Sequence, residues 1–295
     1  MGPFLFNLYI NDVVLDAHNS KISLYADDSK LYSTVDDNND VNNLTEDLRN
    51  IEFFFAEWQL NLNQDKCEVH HLGVTNQRHD YMINNQIVTK KQTVRDLGIQ
   101  IGEQLSFKAH IASIVRTAYF RLKQFNDTFE CRDRDFLKFM YTTYIRPILE
   151  SNTQIWSPYL LCDIDSLERV QKRFTKSLPG LRNVEYRQRL ATLNLDSLES
   201  RRIFFDLTLL FKICNRLIDI DFSKLFEFST ANTRGHNLKL NVKFSRLNAR
   251  KYFFCNRVIS IWNDLPGNVV ESETLTQFKN KMKKINLESY CRGRT

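Results

Sequence analysis

Two adjacent aspartates are the residues of this sequence best suited to chemistry. Asp27 and Asp28 lie between two short runs of aliphatic and aromatic residues, 21–25 and 29–32, which are typical of β-strands, so the sequence predicts a β-hairpin with an acidic turn. Neighbouring carboxylates repel each other unless a cation neutralises them, and hard divalent ions such as Mg²⁺ favour oxygen ligands of this kind. Two such ions can align an attacking hydroxyl with a leaving phosphate. The alternative is a solvated turn without a metal, since Asp is common in turns.

A row of cations along one helix is the second feature that could carry function. Residues 163–178 show helical periodicity, with an apolar side formed by Leu167, Val170, Phe174 and Leu178. The opposite side carries four cations, Arg169, Lys172, Arg173 and Lys176. Such a stripe can contact successive phosphates of a nucleic acid with salt-sensitive affinity. The alternative is an ordinary solubilising face, because charged stripes form the exterior of most amphipathic helices.

The elements that must position these residues follow from hydrophobic periodicity. An apolar helical stripe precedes the hairpin and contains Phe4, Leu5, Leu8 and Val13. After the hairpin we predict a polar loop at 36–43 that caps a helix with its apolar residues over 41–58. Strand-like stretches follow at 67–72, with a turn-rich strand pair around 81–88 and 94–101. The later helices are predicted at 107–125, 136–144, 163–178, 197–217, 250–265 and 274–287. The second of these is expected to end near Arg146-Pro147, and a polar connector is expected at 221–248. The predicted fold class is α+β, a small mixed piece followed by a mainly helical body.

Composition limits the class of protein. The 295 residues carry a formal charge of +6, but 1–75 hold 4 basic and 13 acidic side chains, whereas 76–295 hold 37 and 22. An acidic segment joined to a basic body is typical of a metal site beside a polyanion-binding surface, although loop and cap acids would give the same count. The low content of Gly (8) and Pro (5) excludes collagen and flexible linkers. No apolar run reaches the ~18–20 residues of a membrane span, so we expect no membrane partner.

Cysteine usage bears on location and on zinc. The six cysteines form no CxxC pair and no secretory apolar segment is present, so we expect an intracellular chain with free thiols. Cys67, His70, His71 and His79 raise the question of a zinc site. If 67–72 is a strand, His70 and His71 point to opposite faces, which disfavours zinc.

The motifs of the whole chain resemble one enzyme family. Tyr25-Ala26-Asp27-Asp28 between two strands resembles motif C of the reverse transcriptase palm, and more narrowly the polymerase of non-LTR retrotransposons of the jockey and related types. Further similar segments lie in the family's order: 2–12 (motif B tail), 58–67 (motif D), 96–99 (primer grip), 146–175 (thumb), and 189–190, 198–202 and 262–266 (C-terminal tail).

The resemblance implies roles for individual residues. Asp27 and Asp28 would bind Mg²⁺, and Asp27 is the better candidate for a ligand of both ions. Lys66 would be the motif D lysine near the leaving pyrophosphate, although a solvated lysine at a strand edge fits the sequence equally well. The partners would be an RNA template and a DNA primer, with Arg169, Lys172, Arg173 and Lys176 contacting nucleic acid. The oligomeric state is not predicted.

The same resemblance implies that the catalytic set is incomplete. The family's third carboxylate lies in motif A, and the front of motif B is also expected before Met1, so we predict a truncated RNA-directed DNA polymerase that is inactive alone. The predicted divisions are a truncated palm at 1–104, a helical thumb at 105–220, and a connector with C-terminal helices at 221–295. The alternative function is a non-catalytic nucleic-acid-binding protein that retains the basic thumb.

Overall fold

The fold was obtained as a computed structural model, which describes residues 1–230 and 235–293. The chain forms two compact units, Met1–Ser106 and a second unit that begins at Phe107. The first unit mixes helices with two-stranded sheets and the second is mainly helical, which confirms the predicted α+β class. Apart from Leu105 and Ser106, which belong to the first unit, the described residues of the predicted 105–220 and 221–295 pieces fall within the second unit.

The first unit contains two α-helices, two 3₁₀ turns and eight short strands. The helices are α1 (Gly2–Ile10) and α2 (Asn38–Glu57), and the 3₁₀ turns are Asn11–Asp16 and Gln64–Lys66. The strands are β1 (Lys21–Tyr25), β2 (Asp28–Tyr32), β3 (Glu68–Val69), β4 (Met82–Ile83), β5 (Gln86–Ile87), β6 (Thr89–Lys90), β7 (Thr93–Asp96) and β8 (Ile99–Gly102). The predicted acidic hairpin is thus confirmed.

The helix after the hairpin begins earlier than its apolar stripe suggested. Asp37 caps α2 by accepting hydrogen bonds from the backbone N–H groups of Asn39 and Asp40, at 2.8 and 3.0 Å. The Asp40 carboxylate in turn accepts from the backbone of Asp36 and Asp37, which completes a capping box. The predicted loop over 36–43 is therefore wrong after residue 37, because its acidic residues start the helix.

A small aromatic core holds the first unit together. Ile51, Phe54 and Phe55 of α2 are buried with Ile10 and Val13 from the N-terminal segment. The N-terminal stripe was predicted to include Phe4, Leu5 and Leu8, but these three side chains are 65, 57 and 56% exposed. The inward residues lie instead at the end of α1 and in the following 3₁₀ turn.

The strands after residue 80 form two hairpins. We predicted a turn-rich strand pair around 81–88 and 94–101, but each stretch forms a hairpin of its own, because β4 pairs with β5 and β7 pairs with β8, both antiparallel. The turns explain the difference, because Asn84-Asn85 and Leu97-Gly98 all have positive φ, as a tight two-residue hairpin turn requires. The predicted strand at 67–72 is also reduced to β3, which pairs with β6 in parallel.

The second unit is built from helices. They are α3 (Lys108–Thr128), α4 (Arg134–Met140), a π-helical segment (Tyr141–Ile145), α5 (Arg146–Glu150), α6 (Thr153–Trp156), α7 (Leu161–Ser177), α8 (Tyr186–Leu193), α9 (Leu198–Cys214), α10 (Phe222–Leu225), α11 (Asn248–Lys251), α12 (Phe254–Asp264), α13 (Gly267–Val270), α14 (Leu275–Met282) and a 3₁₀ turn (Leu287–Tyr290). The long predicted helices at 107–125, 163–178 and 197–217 are confirmed. The helix predicted over 250–265 is broken at residues 252–253, and the one over 274–287 ends at Met282.

Pro147 does not end its helix as predicted. Helical structure continues from α4 through the π-helical segment into α5, and the chain turns only at Asn152, which has a left-handed φ of 56°. A proline has no N–H and its ring clashes with the carbonyl four residues earlier. The π-helical turn directly before α5 changes the local hydrogen-bond pattern, so the proline sits in the first turn of a new α-helical segment.

The C-terminal helices share one core with α9. Phe211 of α9 stacks on Phe278 of α14 with ring centroids 4.3 Å apart, and Trp262 of α12 is fully buried beside them. Arg257 of α12 pairs with buried Asp206 of α9 at 2.7 Å and donates to the backbone carbonyl of Gln154 at 2.9 Å. The last helices are therefore part of the second unit's interior.

A buried polar cluster joins α7, α8 and the start of α9. The Glu168 carboxylate accepts hydrogen bonds from the hydroxyl of Tyr186 and from the backbone N–H of Leu198, the latter at 3.1 Å. Gln171 links the cluster to Tyr141 in the π-helical segment through a 2.9 Å hydrogen bond. Burial raises the pKa of Glu168, although the Tyr186 hydrogen bond and nearby Arg202 act against it.

No helix within the described residues is both long enough and apolar enough to cross a bilayer.

Candidate functional site

The acidic hairpin turns through two residues. In the antiparallel register of β1 and β2, Tyr25 pairs with Asp28, so Ala26 and Asp27 alone form the turn. Ala26 has a φ of 52°, a left-handed conformation that is uncommon for a residue with a side chain. Asp27 thus lies in the turn itself and Asp28 on the first residue of β2, both exposed to solvent. The structure brings the two predicted carboxylates together at one exposed tip.

The hairpin rests on the core of the first unit by one face. Ile22 and its partner Leu31 pack with Leu24 against the buried side chains of α2 and the N-terminal segment. Because strand residues alternate between faces, Tyr25 and Asp28 lie on the opposite, open face. Tyr25 is 66% exposed. The two strands form a sheet of their own among the described residues, so this packing has to stabilise a hairpin that would be marginal in isolation.

Asp47 fixes the segment that leads into β1. Its fully buried carboxylate accepts hydrogen bonds from the backbone N–H groups of His18, Asn19 and Ser20, at 3.0, 2.9 and 2.6 Å. Burial alone raises the pKa of Asp47, but the hydrogen bonds from residues 18–20 outweigh it and hold the pKa below its ordinary value. Sequence reasoning missed this role, because an aspartate inside a helical pattern reads as a surface residue.

Lys30 is a positively charged residue of the hairpin, two residues after Asp28 in the sequence, and it is engaged by an ion pair. Its ammonium group contacts the Asp96 carboxylate at the end of β7. Lys30 lies on the same strand face as Asp28, two residues further along β2. The pair ties the acidic hairpin to the β7–β8 hairpin, which carries the Asp96-Leu97-Gly98-Ile99 segment.

The two carboxylates at the tip are suitable ligands for one magnesium ion but are too few for a two-metal site. Mg²⁺ is commonly held by one or two carboxylates together with water and substrate phosphates, and Asp27 and Asp28 supply two exposed carboxylates that form no ion pair within the described residues. Across 1–230 and 235–293, no group of three or more His, Cys, Asp or Glu side chains is arranged to hold a metal ion. The tip therefore fits one loosely held Mg²⁺, and the described residues do not supply the third carboxylate of a two-metal site.

The predicted lysine lies in a different element from the aspartates. Lys66 ends the 3₁₀ turn Gln64–Lys66, directly before β3, and its side chain is exposed. It forms no ion pair with Asp27 or Asp28 in the described part of the chain.

The Cys67 and histidine segment does not follow strand geometry. Only Glu68 and Val69 of the predicted strand are paired, so alternation does not set the directions of His70 and His71. His71 is buried and its ring stacks on Tyr81 at 6.2 Å, whereas His79 hydrogen bonds with Gln77 at 3.0 Å.

The cationic stripe on α7 is present as predicted. Arg169, Arg173 and Lys176 are exposed and Lys172 is half-buried. Two of the cations rest on aromatic rings: Lys172 lies 5.1 Å from the ring centre of Tyr186, and Arg173 lies 5.7 Å from that of Tyr119. These contacts orient long side chains that would otherwise be free to rotate.

The stripe borders a groove that sequence analysis did not predict. An open groove of about 860 Å³ is lined by Lys172, Arg173, Lys176, Ser177, Leu178, Pro179, Gly180, Arg182 and Arg189. Five of its lining residues are basic and none is acidic, so the groove attracts anions. Arg182 and Arg189 come from the segment after α7 and from α8, so helical periodicity within 163–178 could not reveal them. Arg169 belongs to the stripe but does not line the groove.

Comparison with known proteins identifies the first unit more closely. Residues 1–101 match the family model described as reverse transcriptase (RNA-dependent DNA polymerase). An uncharacterized protein of Caenorhabditis elegans, B0403.1, is 26% identical over 113 residues, which are 37% of this chain and 57% of that protein. The chain thus spans just over half the length of this curated relative. No solved structure matches the chain. The predicted resemblance to reverse transcriptases is therefore confirmed for residues 1–101.

Proposed function

We propose that the first unit is part of a reverse transcriptase palm and that its acidic hairpin is the metal-binding motif of RNA-directed DNA synthesis. The observation that carries this proposal is the exposed two-residue turn that presents Asp27 and Asp28, within a segment that matches the reverse transcriptase family. Buried Asp47 and the Ile22–Leu31 pair support the role, because they hold the strands that carry the two carboxylates.

The type of polymerase that we propose is that of a non-LTR retrotransposon of the jockey kind. Support comes from the order of motif-like segments beyond the hairpin, including Asp96-Leu97-Gly98-Ile99 and Arg146-Pro147-Ile148-Leu149-Glu150. The first of these forms the tight turn of the β7–β8 hairpin. On this proposal the second unit includes the thumb, and the partners are an RNA template and a DNA primer.

The residues of this chain would act on substrate as follows. Asp27 and Asp28 would hold Mg²⁺, which when bound polarises phosphate oxygens and favours loss of the proton from a primer hydroxyl. Lys66, with its exposed ammonium group, would offer a proton or a positive charge to the leaving pyrophosphate. Lys30 would stay paired with Asp96, so it would leave the charge of the aspartates available for the metal.

We further propose that the 295-residue chain does not polymerise DNA by itself. The physical reason is the number of donors, because two metals in octahedral geometry need more side-chain ligands than the described residues bring to the hairpin tip. Asp27 and Asp28 should still bind a divalent cation weakly.

Two measurements on the full chain test these statements separately. Mn²⁺ binding, followed by water-proton relaxation, should fall in Asp27→Asn and Asp28→Asn and stay unchanged in Asp36→Asn, which removes an exposed carboxylate outside the hairpin. Primer extension on an RNA template with Mg²⁺ should give no more product than the Asp27→Asn variant gives. Equal Mn²⁺ binding by all three variants would contradict the metal role, and template-dependent extension above that of Asp27→Asn would contradict the proposed inactivity.

A second candidate function is nucleic-acid binding without catalysis, and the basic groove of the second unit favours it. Four stripe cations together with Arg182 provide contacts for a phosphate backbone, and buried Arg189 adds positive charge at the groove. Affinity for an RNA–DNA duplex should therefore fall steeply with salt, and Arg169→Glu and Arg173→Glu should lower it. Lys284→Glu, which reverses an exposed charge outside the groove, is the matched control. Binding that is insensitive to salt, or equal losses in all three variants, would exclude this function.

A further inference from the structure

Two grooves meet on the surface of the second unit. The basic groove adjoins a smaller one of about 450 Å³, and the two share Arg173 and Ser177 as lining residues. The remaining lining of the smaller groove is Tyr119, Phe120, Leu122, Lys123, Asn126, Asp127 and Phe174. One continuous surface therefore passes from cations to aromatic rings.

The smaller groove, which we call the aromatic groove, is built from the side of α3 that faces α7. Phe120 is 59% exposed although it is a large apolar side chain. Beside it, the Arg173 guanidinium lies over the ring of Tyr119, so a planar cation and two rings border one space. The charged residues that line the aromatic groove have both signs, namely Lys123, Arg173 and Asp127. The aromatic groove therefore attracts phosphate less strongly than the basic groove does.

We propose that the two grooves together bind single-stranded nucleic acid, with phosphates in the basic groove and an unpaired base against Phe120 and the Tyr119–Arg173 pair. Aromatic side chains and guanidinium planes stack on bases, and such stacking beside a positive groove is the usual design of single-strand binding sites. The bases of a duplex are already stacked on one another and offer the protein only their edges and the backbone. An exposed phenylalanine next to five cations is therefore of use to an unpaired strand and of little use to a duplex. This inference rests on the proposed nucleic-acid role of the second unit.

The test is a pair of titrations of the full chain. The probes are a fluorescein-labelled RNA strand of mixed sequence, of about 16 nucleotides, and an RNA–DNA duplex of the same length. Phe120→Ala and Phe120→Leu should weaken single-strand binding by about 5- to 150-fold and leave duplex binding unchanged, while Phe120→Tyr should retain affinity because its ring still stacks. Phe139→Ala is the matched control, since Phe139 is 58% exposed on α4 and lines neither groove.

The outcomes separate this inference from the function on which it rests. Selective loss of single-strand binding in the Ala and Leu variants, with retention in the Tyr variant, supports the proposal. Two outcomes overturn the proposal and leave nucleic-acid binding standing. In the first, the protein binds the duplex but does not bind the single strand. In the second, Phe120→Ala binds the single strand as strongly as the wild type does. Equal losses for both probes also overturn it, because they point to a structural role of Phe120. Absence of binding to either probe overturns the nucleic-acid role as well.

Discussion

Replacing Asp47 with asparagine tests how the acidic hairpin is held in place. The substitution keeps the shape of the side chain but removes its charge and turns one hydrogen-bond acceptor into a donor. In the native protein the buried carboxylate accepts from three consecutive backbone N–H groups, those of His18, Asn19 and Ser20.

The size of the effect follows from the number of donors. Hydrogen bonds to a charged group contribute about 1.5–3 kcal/mol each, and a buried donor without a partner costs about 1–3 kcal/mol. The asparagine carbonyl still accepts from one or two of the three N–H groups, while its NH₂ group opposes the other. We therefore expect a loss of about 2–4 kcal/mol in the local stability of residues 17–32, which corresponds to a roughly 30- to 800-fold change in the opening equilibrium.

Hydrogen exchange measured by mass spectrometry is the suitable assay, because it reports on segments and the two units need not unfold together. Peptides covering 17–32 should exchange roughly 30- to 800-fold faster in Asp47→Asn than in the wild type, while peptides from α7 and α9 keep their wild-type rates. Glu46→Gln is the matched control, since Glu46 is the exposed neighbour on α2.

The effect should also depend on pH in a defined direction. The pKa of Asp47 is lowered in the folded protein, so its stabilising contribution is complete above the ordinary value of 3.8 and is lost as the pH falls through the lower folded pKa. The ratio of exchange rates between Asp47→Asn and wild type should accordingly be constant near neutrality and shrink towards one in acid. An exchange profile of Asp47→Asn that matches Glu46→Gln at neutral pH would refute the anchoring role.

Two further predictions concern the second unit. Burial raises the pKa of Glu168 in the folded protein, so the contribution of Glu168 to folding stability is greatest below the unfolded pKa and declines as the pH rises through the folded pKa. The difference in thermal midpoint between Glu168→Gln and the wild type should therefore shift in favour of Glu168→Gln as the pH rises. A difference that is constant with pH would contradict this cause. Gly180→Ala should lower the free energy of unfolding, measured in urea, by about 1 kcal/mol or more, because Gly180 has a φ of 74° and a Cβ there would lie 2.5 Å from the Arg134 guanidinium. Gly267→Ala, where the nearest atom is 3.5 Å away and φ is not left-handed, is the control, and equal losses in both variants would argue against strain at Gly180.

The elements that periodicity predicted well are those whose burial is one-sided and local. The hairpin at 21–32 and the helices α3, α7 and α9 each show their inward face in the sequence itself. The errors arise where the apolar pattern of a segment does not decide its structure. Pro147 continues a helix because a π-helical turn precedes it, and the exposed Phe4, Leu5 and Leu8 show that an apolar stripe need not face the core.

The candidate site was predictable only in part for the same reason. Asp27 and Asp28 are neighbours in sequence, so a tight turn was enough to bring them together. The basic groove instead combines α7 with Arg182 and Arg189, and the aromatic groove combines α7 with Phe120 of α3. Those residues meet through helix packing, which has no signature within any single segment.

The pairing of Asp206 with Arg257 has a consequence for how the protein is made. A ribosome releases Asp206 and the apolar side of α9 well before α12 and α14 have been synthesised, although both helices are needed to cover that side. At about 5–20 residues per second, the nascent chain presents Leu207, Leu210 and Phe211 to the cell for several seconds. Chaperone binding to arrested nascent chains should therefore peak once α9 has left the exit tunnel and fall when α14 emerges.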